Sequence, residues 1–452
     1  MESLNAFLNQ LSGIVWGPIT LVLIVGCGVW LTIRLGLLQF RMLPFALGQI
    51  FKKQPDNVNG EKCEGDISQF GALMTALSAT IGTGNIAGVA TAVVLGGPGA
   101  VFWMWITAIF GMATKYAEGI LAVKYRVVNA KGEMSGGPMY YIERGLNMKW
   151  LAMIFAVLGA LASFGIGSSV QSNSVASAVV QSYGVDVWVT GVVLTVFTAF
   201  VLLGGIKSIA RASSVIVPLM AVIYVAGGLW IMAANYDLVG TAFAKIFTLA
   251  WGNEAVAGGL IGAIIRYGVA RGVFSNEAGM GSAPIAAAAA RTDHPARQAF
   301  VSMTGTFIDT IIVCTITGVV LVMGLDIVDS GGLTGAALTT FTFDALLPGV
   351  GSHVVALGLI FFAYSTILGW SYYGEKCATY AFGEYATWPY RVIYTGSVLL
   401  GAVVHLDLVW AFADVFNGLM AIPNVIGLFL LTGVVVSETN DFLDKRSKGL
   451  LP

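Results

Sequence analysis

The sequence predicts an all-α polytopic membrane protein of eleven transmembrane helices. Three observations carry that prediction. The 452 residues are 57% hydrophobic and only 10% charged, where soluble proteins carry about 25% charge. The apolar residues gather into stretches of the roughly 20 residues that cross a bilayer as a helix. Between those stretches, Lys and Arg fall almost entirely on one side. With 23 basic and 24 acidic residues the net charge is −1, which excludes nucleic-acid binding driven by phosphate attraction. The hydrophobicity excludes a disordered chain. The 57 glycines fit membrane helices, where Gly is commoner than in soluble ones.

In order, the spans read as 14–38, 68–95, 99–123, 150–181, 186–205, 213–234, 257–290, 299–324, 352–382, 388–404 and 408–436. A further apolar segment, 333–347, is too short to cross and reads as a surface hairpin or lid. Arg41, Lys52, Lys53 and Lys62 follow span one. Lys124, Arg126, Lys131, Arg144 and Lys149 follow span three. Lys207 and Arg211 follow span five, Arg291 and Arg297 follow span seven, and Lys445, Arg446 and Lys448 close the chain. All share one side if the spans number eleven. The other side has Lys245 with Asp186, Asp237, Asp326, Asp329 and Asp344. Basic loops stay in the cytoplasm, so the N-terminus is expected outside and the C-terminus inside. The first ten residues hold no Lys or Arg, so no cleaved signal peptide is expected.

Cys27, Cys314 and Cys377 fall in apolar runs and Cys63 in a charged loop; no C-x-x-C pair occurs. They read as scattered packing residues. His294, His353 and His405 are far apart and form no metal motif. No phosphate-binding G-x-x-x-x-G-K-[ST] loop is present, which argues against a nucleotide-driven pump. No nucleophile–base pair presents itself, so an intramembrane enzyme is not expected. Channels are commonly symmetric oligomers around a filter, whereas this chain carries its own internal symmetry.

That symmetry comes from two spans that do not read as plain helices. Span two holds Ser78, Thr80, Gly82, Thr83, Gly84 and Asn85 at its middle. Each Gly weakens a helix by about 1 kcal/mol against Ala. Unwound backbone survives in a bilayer only where it lines a cavity or is buried in protein. Close helix packing through Gly84 and Gly88 is the alternative reading. Span seven holds Arg271, Gly272, Ser275, Asn276, Glu277, Gly279, Gly281 and Pro284, and a break is expected near Gly272–Gly281. Charges inside a span mark functional sites by default; mutual neutralisation of Arg271 and Glu277 is the alternative. Spans two and seven are five apart, so they cross in opposite directions. That is the pattern of an inverted five-helix repeat, 68–234 against 257–436, with 14–38 added outside it. Matched broken helices point to a transporter's midplane site.

The run Gly96-Gly-Pro-Gly-Ala-Val-Phe-Trp-Met-Trp-Ile-Thr-Ala-Ile-Phe-Gly111 resembles the signature of the alanine/glycine:cation symporter family. Gly82–Gly88 and Gly272–Pro284 are similar to it too, and the resemblance covers essentially the whole chain. It implies the leucine-transporter-like fold of the amino acid–polyamine–cation superfamily. It also implies uptake of L-alanine, and often glycine or D-alanine, with Na⁺ as co-transported ion rather than bound cofactor. The implied location is the plasma membrane, with the bilayer, the amino acid and Na⁺ as partners and no obligate protein partner.

The amides of Gly82, Thr83 and Gly84 are expected to hold the substrate carboxylate, as half-helix N-termini do. Carbonyls around Gly272, Val273 and Phe274 are expected to take the amino group, with contacts from Ser275 and Asn276. Phe274 reads as a wall or as packing. In span four, Ser168 and Gln171 lie three apart on one face, and Gln171 is expected to reach the substrate. Trp370 in span nine reads as a wall that restricts side-chain size. The resemblance adds Ser78, Thr80, Ile81 and Asn85 as sodium-side residues. It also adds hydroxyls from Ser365 and Thr366, the latter shared with the substrate, and a second ligand set at Thr306 and Asp309. Neutral oxygens suit a hard cation and favour Na⁺ over a proton. Glu277, Asp309 and Asp414 keep proton coupling open.

Overall fold

The computed structural model describes residues 2–52, 57–58, 61–252, 259–325, 327, 332–404 and 406–451. Lys53, Asp326, Asp329, His405 and the first residues of span seven lie outside these, as does the side chain of Lys62.

Among the described residues, seven helices are long and apolar enough to cross a membrane. They are Ala6–Arg34, Gly99–Lys124, Lys149–Tyr183, Gly205–Ala234, Pro295–Gly324, Gly351–Phe382 and Trp410–Leu430, at spans one, three, four, six, eight, nine and eleven. Span two is a bent pair, Gln69–Thr80 and Thr83–Gly96, turning through 62°. Spans five and ten are shorter helices of 17 residues, Val187–Leu203 and Thr387–Val403. Span seven is Gly259–Asn276 followed, after a gap, by Ala283–Ala287.

Some boundaries differ from expectation. Span six begins at Gly205 rather than 213 because Lys207 and Arg211 sit on a helix that continues beyond the apolar run. The segment at 333–347 is a helix, Gly335–Leu346, and not a hairpin. Four further helices were not anticipated: Leu38–Gln49, Pro138–Leu146, Tyr236–Leu249 and Thr432–Ser447. None of them is a 20-residue apolar run, so a search for spans passes over them.

The surface is apolar where outer helices face away from the bundle: Ile19, Phe197, Phe200, Val215, Val222, Val392 and Leu400 are all exposed. The interior is unusually polar, with Thr75, Ser78, Thr83, Asn85, Ser275, Asn276, Asp309 and Thr310 all at 0% exposure. An inside-polar, outside-apolar body is what lipid as solvent selects.

The two broken spans are joined at one end. Ile67, just before span two, forms a parallel bridge with Ala290, just after the second half of span seven. The Asp66 amide donates to the Ala289 carbonyl (2.9 Å) and the Arg291 amide to the Ile67 carbonyl (2.7 Å). The Arg126 guanidinium donates to the carbonyls of Ala288, Ala290 and Glu64 at 3.0, 2.7 and 2.9 Å. Gly65 must be Gly, since a Cβ there would stand 2.3 Å from Arg291 Cα. The start of one broken span thus meets the end of the other.

Candidate substrate and cation site

The first break lies at Ile81–Gly82. The helix Gln69–Thr80 ends with Ile81 in extended geometry, and Thr83–Asn85 forms a single tight turn before Ala87–Gly96. A helix end leaves its last carbonyls without intrahelical partners. Two of those here meet hydroxyls from span nine. Ser365 Oγ donates to the Ser78 carbonyl (3.2 Å) and Thr366 Oγ1 to the Ile81 carbonyl (3.2 Å). Both hydroxyls also reach the Phe362 carbonyl at 2.9 Å. When they donate to Phe362, their lone pairs and the two freed carbonyls make a compact four-oxygen set for a hard cation. Thr80, expected on this side, instead donates to Ala76 of its own helix at 2.7 Å.

Gln171 does reach the break. Its Oε1 accepts from the Thr83 amide at 3.3 Å, and its Nε2 donates to the Ile166 carbonyl at 3.0 Å. A Cβ on Gly82 would lie 2.6 Å from Thr366 Oγ1 and 3.3 Å from Gln171 Oε1. Only Gly fits between them. Span four is locally under-wound here: Ser163–Ser169 forms a π-helical stretch, a device common at functional sites. Ser168 is not brought to the break; it bonds Ser397 at 2.6 Å and the Phe164 carbonyl at 3.0 Å.

The second break lies at Glu277–Ser282, five residues later than its expected start. Gly272 to Asn276 are helical. Gly272 serves packing instead: a Cβ there would stand 3.2 Å from Met104 Cα. The Val273 carbonyl, expected to be free, accepts from the Glu277 amide at 2.8 Å. The Ala278 amide turns away to Asn276 Oδ1 (3.0 Å), which releases the Phe274 carbonyl from its helical partner. Glu277, Gly279 and Gly281 adopt positive φ of 54°, 85° and 82°. Arg271 and Glu277 do not neutralise each other. Glu277 accepts from Ser282 Oγ (2.5 Å) and Trp370 Nε1 (3.0 Å), while Arg271 stacks over Phe274 at 5.5 Å. Trp370, expected as a bare wall, is thereby tied to the second break.

The first break and the helix that leads into the second meet at Asp309. Its carboxylate accepts from Asn85 Nδ2 (2.6 Å), Thr310 Oγ1 (2.7 Å) and Ser275 Oγ (2.9 Å). Asp309 sits in a second π-helical stretch, Phe307–Cys314. The Asn85 oxygen, expected to face a cation, accepts from the Gly82 amide at 2.9 Å and so recaps the break. The carboxyl group at this junction is therefore that of Asp309, with Asn85 turned to it through Nδ2. Thr83 Oγ1, Asn276 Nδ2 and Thr306 Oγ1 are buried with no hydrogen-bond partner. Buried polar groups are almost always paired, so these three atoms have hydrogen-bonding capacity left over for a polar ligand.

On the Ala87–Gly96 side of the first break lies a cavity of about 430 Å³, the vestibule, lined in part by Gly88, Thr91, Asn173, Arg271, Trp410 and Asp414 and by the helix Gly335–Leu346. Phe274 stacks on Trp410 with centroids 6.0 Å apart, and its ring edge closes over Gly84. The aromatic pair stands between the cavity and the breaks.

A polytopic helical bundle with two interrupted helices around a buried polar junction is the architecture of a membrane transporter, and comparison with known proteins places the chain among transporters rather than enzymes. Its fold matches that of MhsT in complex with L-phenylalanine, with a TM-score of 0.57 over 82% of this chain and 98% of that one, at 14% identity. The particular family follows from sequence: the chain belongs to the sodium:alanine symporter family, whose model matches residues 1–452. It is 59% identical over 447 residues to the sodium/alanine symporter AgcS of Methanococcus maripaludis, covering 98% of both chains. It is also 37% identical to the probable sodium/glutamine symporter GlnT of Bacillus subtilis, over 100% of this chain and 93% of that one.

Proposed function

We propose that the chain imports alanine, with glycine and D-alanine as further substrates, together with Na⁺ by alternating access across the plasma membrane. The carrying observation is the four-oxygen set of Ser78, Ile81, Ser365 and Thr366, directly beside the Gly82–Thr83 amides. The substrate carboxylate binds those amides, with Gln171 released from Thr83 to help. The amino group binds the Phe274 carbonyl and Asn276. Na⁺ binds the four-oxygen set, and a second cation binds at Asp309 with Thr306 and Ser275. Phe274 and Trp410 close over the substrate from the vestibule side.

The reading includes eleven spans arranged as 14–38 plus the inverted repeats 68–234 and 257–436. The N-terminus is outside and the basic loops are cytoplasmic. The meeting of Ile67 with Ala290 supports the inversion, and the one-sided loops support the orientation.

The test is uptake of labelled alanine into proteoliposomes. Accumulation above equilibrium that requires an inward Na⁺ gradient supports the proposal; gradient-independent equilibration overturns it. Proton coupling is the second reading, favoured by the buried Asp309 carboxylate. Accumulation driven by a pH gradient without Na⁺ would establish it instead.

A further inference from the structure

Span three, Gly99–Lys124, carries two buried charges that the transport cycle above does not use. Lys115 is 3% exposed and Glu118 is 1% exposed. Glu118 Oε1 accepts from the Gly281 amide (3.2 Å) within the second break and from Asn424 Nδ2 (2.7 Å) of span eleven. The same Asn424 Nδ2 donates to the Gly279 carbonyl at 2.9 Å. Asn424 Oδ1 is held by the Tyr141 hydroxyl from the helix Pro138–Leu146. Glu118 and Asn424 thus replace the helical hydrogen bonds that the break gave up. The Lys115 ammonium interacts electrostatically with Glu118, Glu277 and Asp309.

The network is incomplete. Lys115 Nζ, Glu118 Oε2 and the Tyr373 hydroxyl are buried without hydrogen-bond partners. A half-satisfied buried network carries a desolvation penalty that water would relieve. These groups lie beyond the second break on the side of the basic loops, opposite the vestibule. Substrate and ion leaving that way must part span seven from spans three and eleven, and water then reaches all three orphans.

Resting on the transport reading, we propose that Lys115, Glu118 and Asn424 form an inner latch that positions the Gly279–Gly281 backbone while the vestibule is open and releases it for inward discharge. Lys115 is the counter-charge on the same helix that favours the carboxylate form of Glu118 as an acceptor. Leaving either charge unpaired is disruptive, whereas removing both restores balance. They are positioning residues, since none of the three touches the substrate junction.

The experiment has two arms. In the first, Lys115→Met and Glu118→Gln each lower the maximal uptake rate about tenfold, with KM for alanine changed less than about threefold. The Lys115→Met/Glu118→Gln double variant recovers to within about threefold of the parent rate, the coupling expected of a charge pair. Additive losses in the double variant overturn the proposal.

The second arm needs no transported substrate, so it stays interpretable if the alanine–Na⁺ reading fails. Cys27 is fully buried and lies within electrostatic range of Glu118. In Asn424→Asp, which keeps the side-chain shape but loses the donor to Glu118, a membrane-impermeant maleimide applied to the basic face labels Cys27 several-fold faster, read by peptide mass mapping. An unchanged labelling rate overturns the latch. Gel filtration of each variant identifies any that does not fold, and Glu118→Asp then replaces the Glu118 variant because it keeps the charge and shortens the reach to Gly281, raising Cys27 labelling if the latch is real.

Discussion

Thr366, Gln171, Gly82 and Trp370 each make one decisive contact. Replacing Thr366 with Ala removes a hydroxyl from the four-oxygen set and is expected to weaken apparent Na⁺ affinity roughly tenfold, about the worth of one buried polar contact. Thr366→Ser should keep it. Sodium titrations of alanine uptake decide, and equal affinities would remove Thr366 from the ion site. Gln171→Ala should weaken alanine binding by a similar factor of roughly ten while leaving thermal stability close to the parent's. Gly82→Ala should abolish transport outright, because its Cβ would stand 2.6 Å from Thr366 Oγ1. Trp370 separates two roles. Trp370→Phe keeps bulk but loses the bond to Glu277, so it should slow transport without changing selectivity. Trp370→Ala should also admit larger amino acids if the indole bounds the pocket, measured by competition with a series of neutral amino acids.

At the scale of elements, the two breaks differed in legibility for a physical reason. The first is set by Gly82, Gly84 and Asn85 standing together, and the chain bends there. The second was expected to start at Gly272, yet that Gly gives close contact to Met104 and Thr107 within an intact helix. The bend is made by Glu277, Gly279 and Gly281 in left-handed geometry, and a positive φ at Glu277 has no residue-type signature. The two π-helical stretches left no mark in sequence at all, because they depend on register and not on composition. Asp309 was singled out as a carboxylate in a span and, through the family resemblance, beside Thr306 as a second cation ligand, whereas its bonds to Asn85 and Ser275 were not foreseen; Lys115 and Glu118 were hidden by the apolar run around them.

The inner loops make an element-level prediction. Burial alone would raise the Glu133 carboxyl, but the Lys376 ammonium 3.1 Å away, helped by Asn129 and Lys131, holds the group below the usual carboxylate range. A depressed folded value means this docking is fully present above the ordinary carboxylate pKa. It is lost as pH falls through that range and below. Amide exchange across 127–135 should therefore quicken between about pH 5 and about pH 3, and Lys376→Met should remove that acid sensitivity.

At the scale of the whole molecule, the polytopic helical class was legible from composition, because lipid forces polar groups either to the ends of apolar helices or to the core. The sidedness of the loops is a reading of charge placement. What was not readable is which helix meets which, since that depends on packing between residues hundreds of positions apart. The orientation makes a direct prediction. A membrane-impermeant amine reagent should modify Lys445 and Lys448, which lie in the exposed tail, in inside-out vesicles and not in right-side-out ones. Equal labelling in both would mean a mixed insertion.

The seam between Ile67 and Ala290, riveted by Arg126, has a kinematic consequence. Two helices broken at their middles would ordinarily have two independent swings. Sewn together at one end, their inner segments share a single pivot, and tilting one drags the other. In the proposed cycle the junction would then be moved by one lever instead of two, and a state in which only half the site has shifted would have to break the bonds that Arg126 makes across the seam.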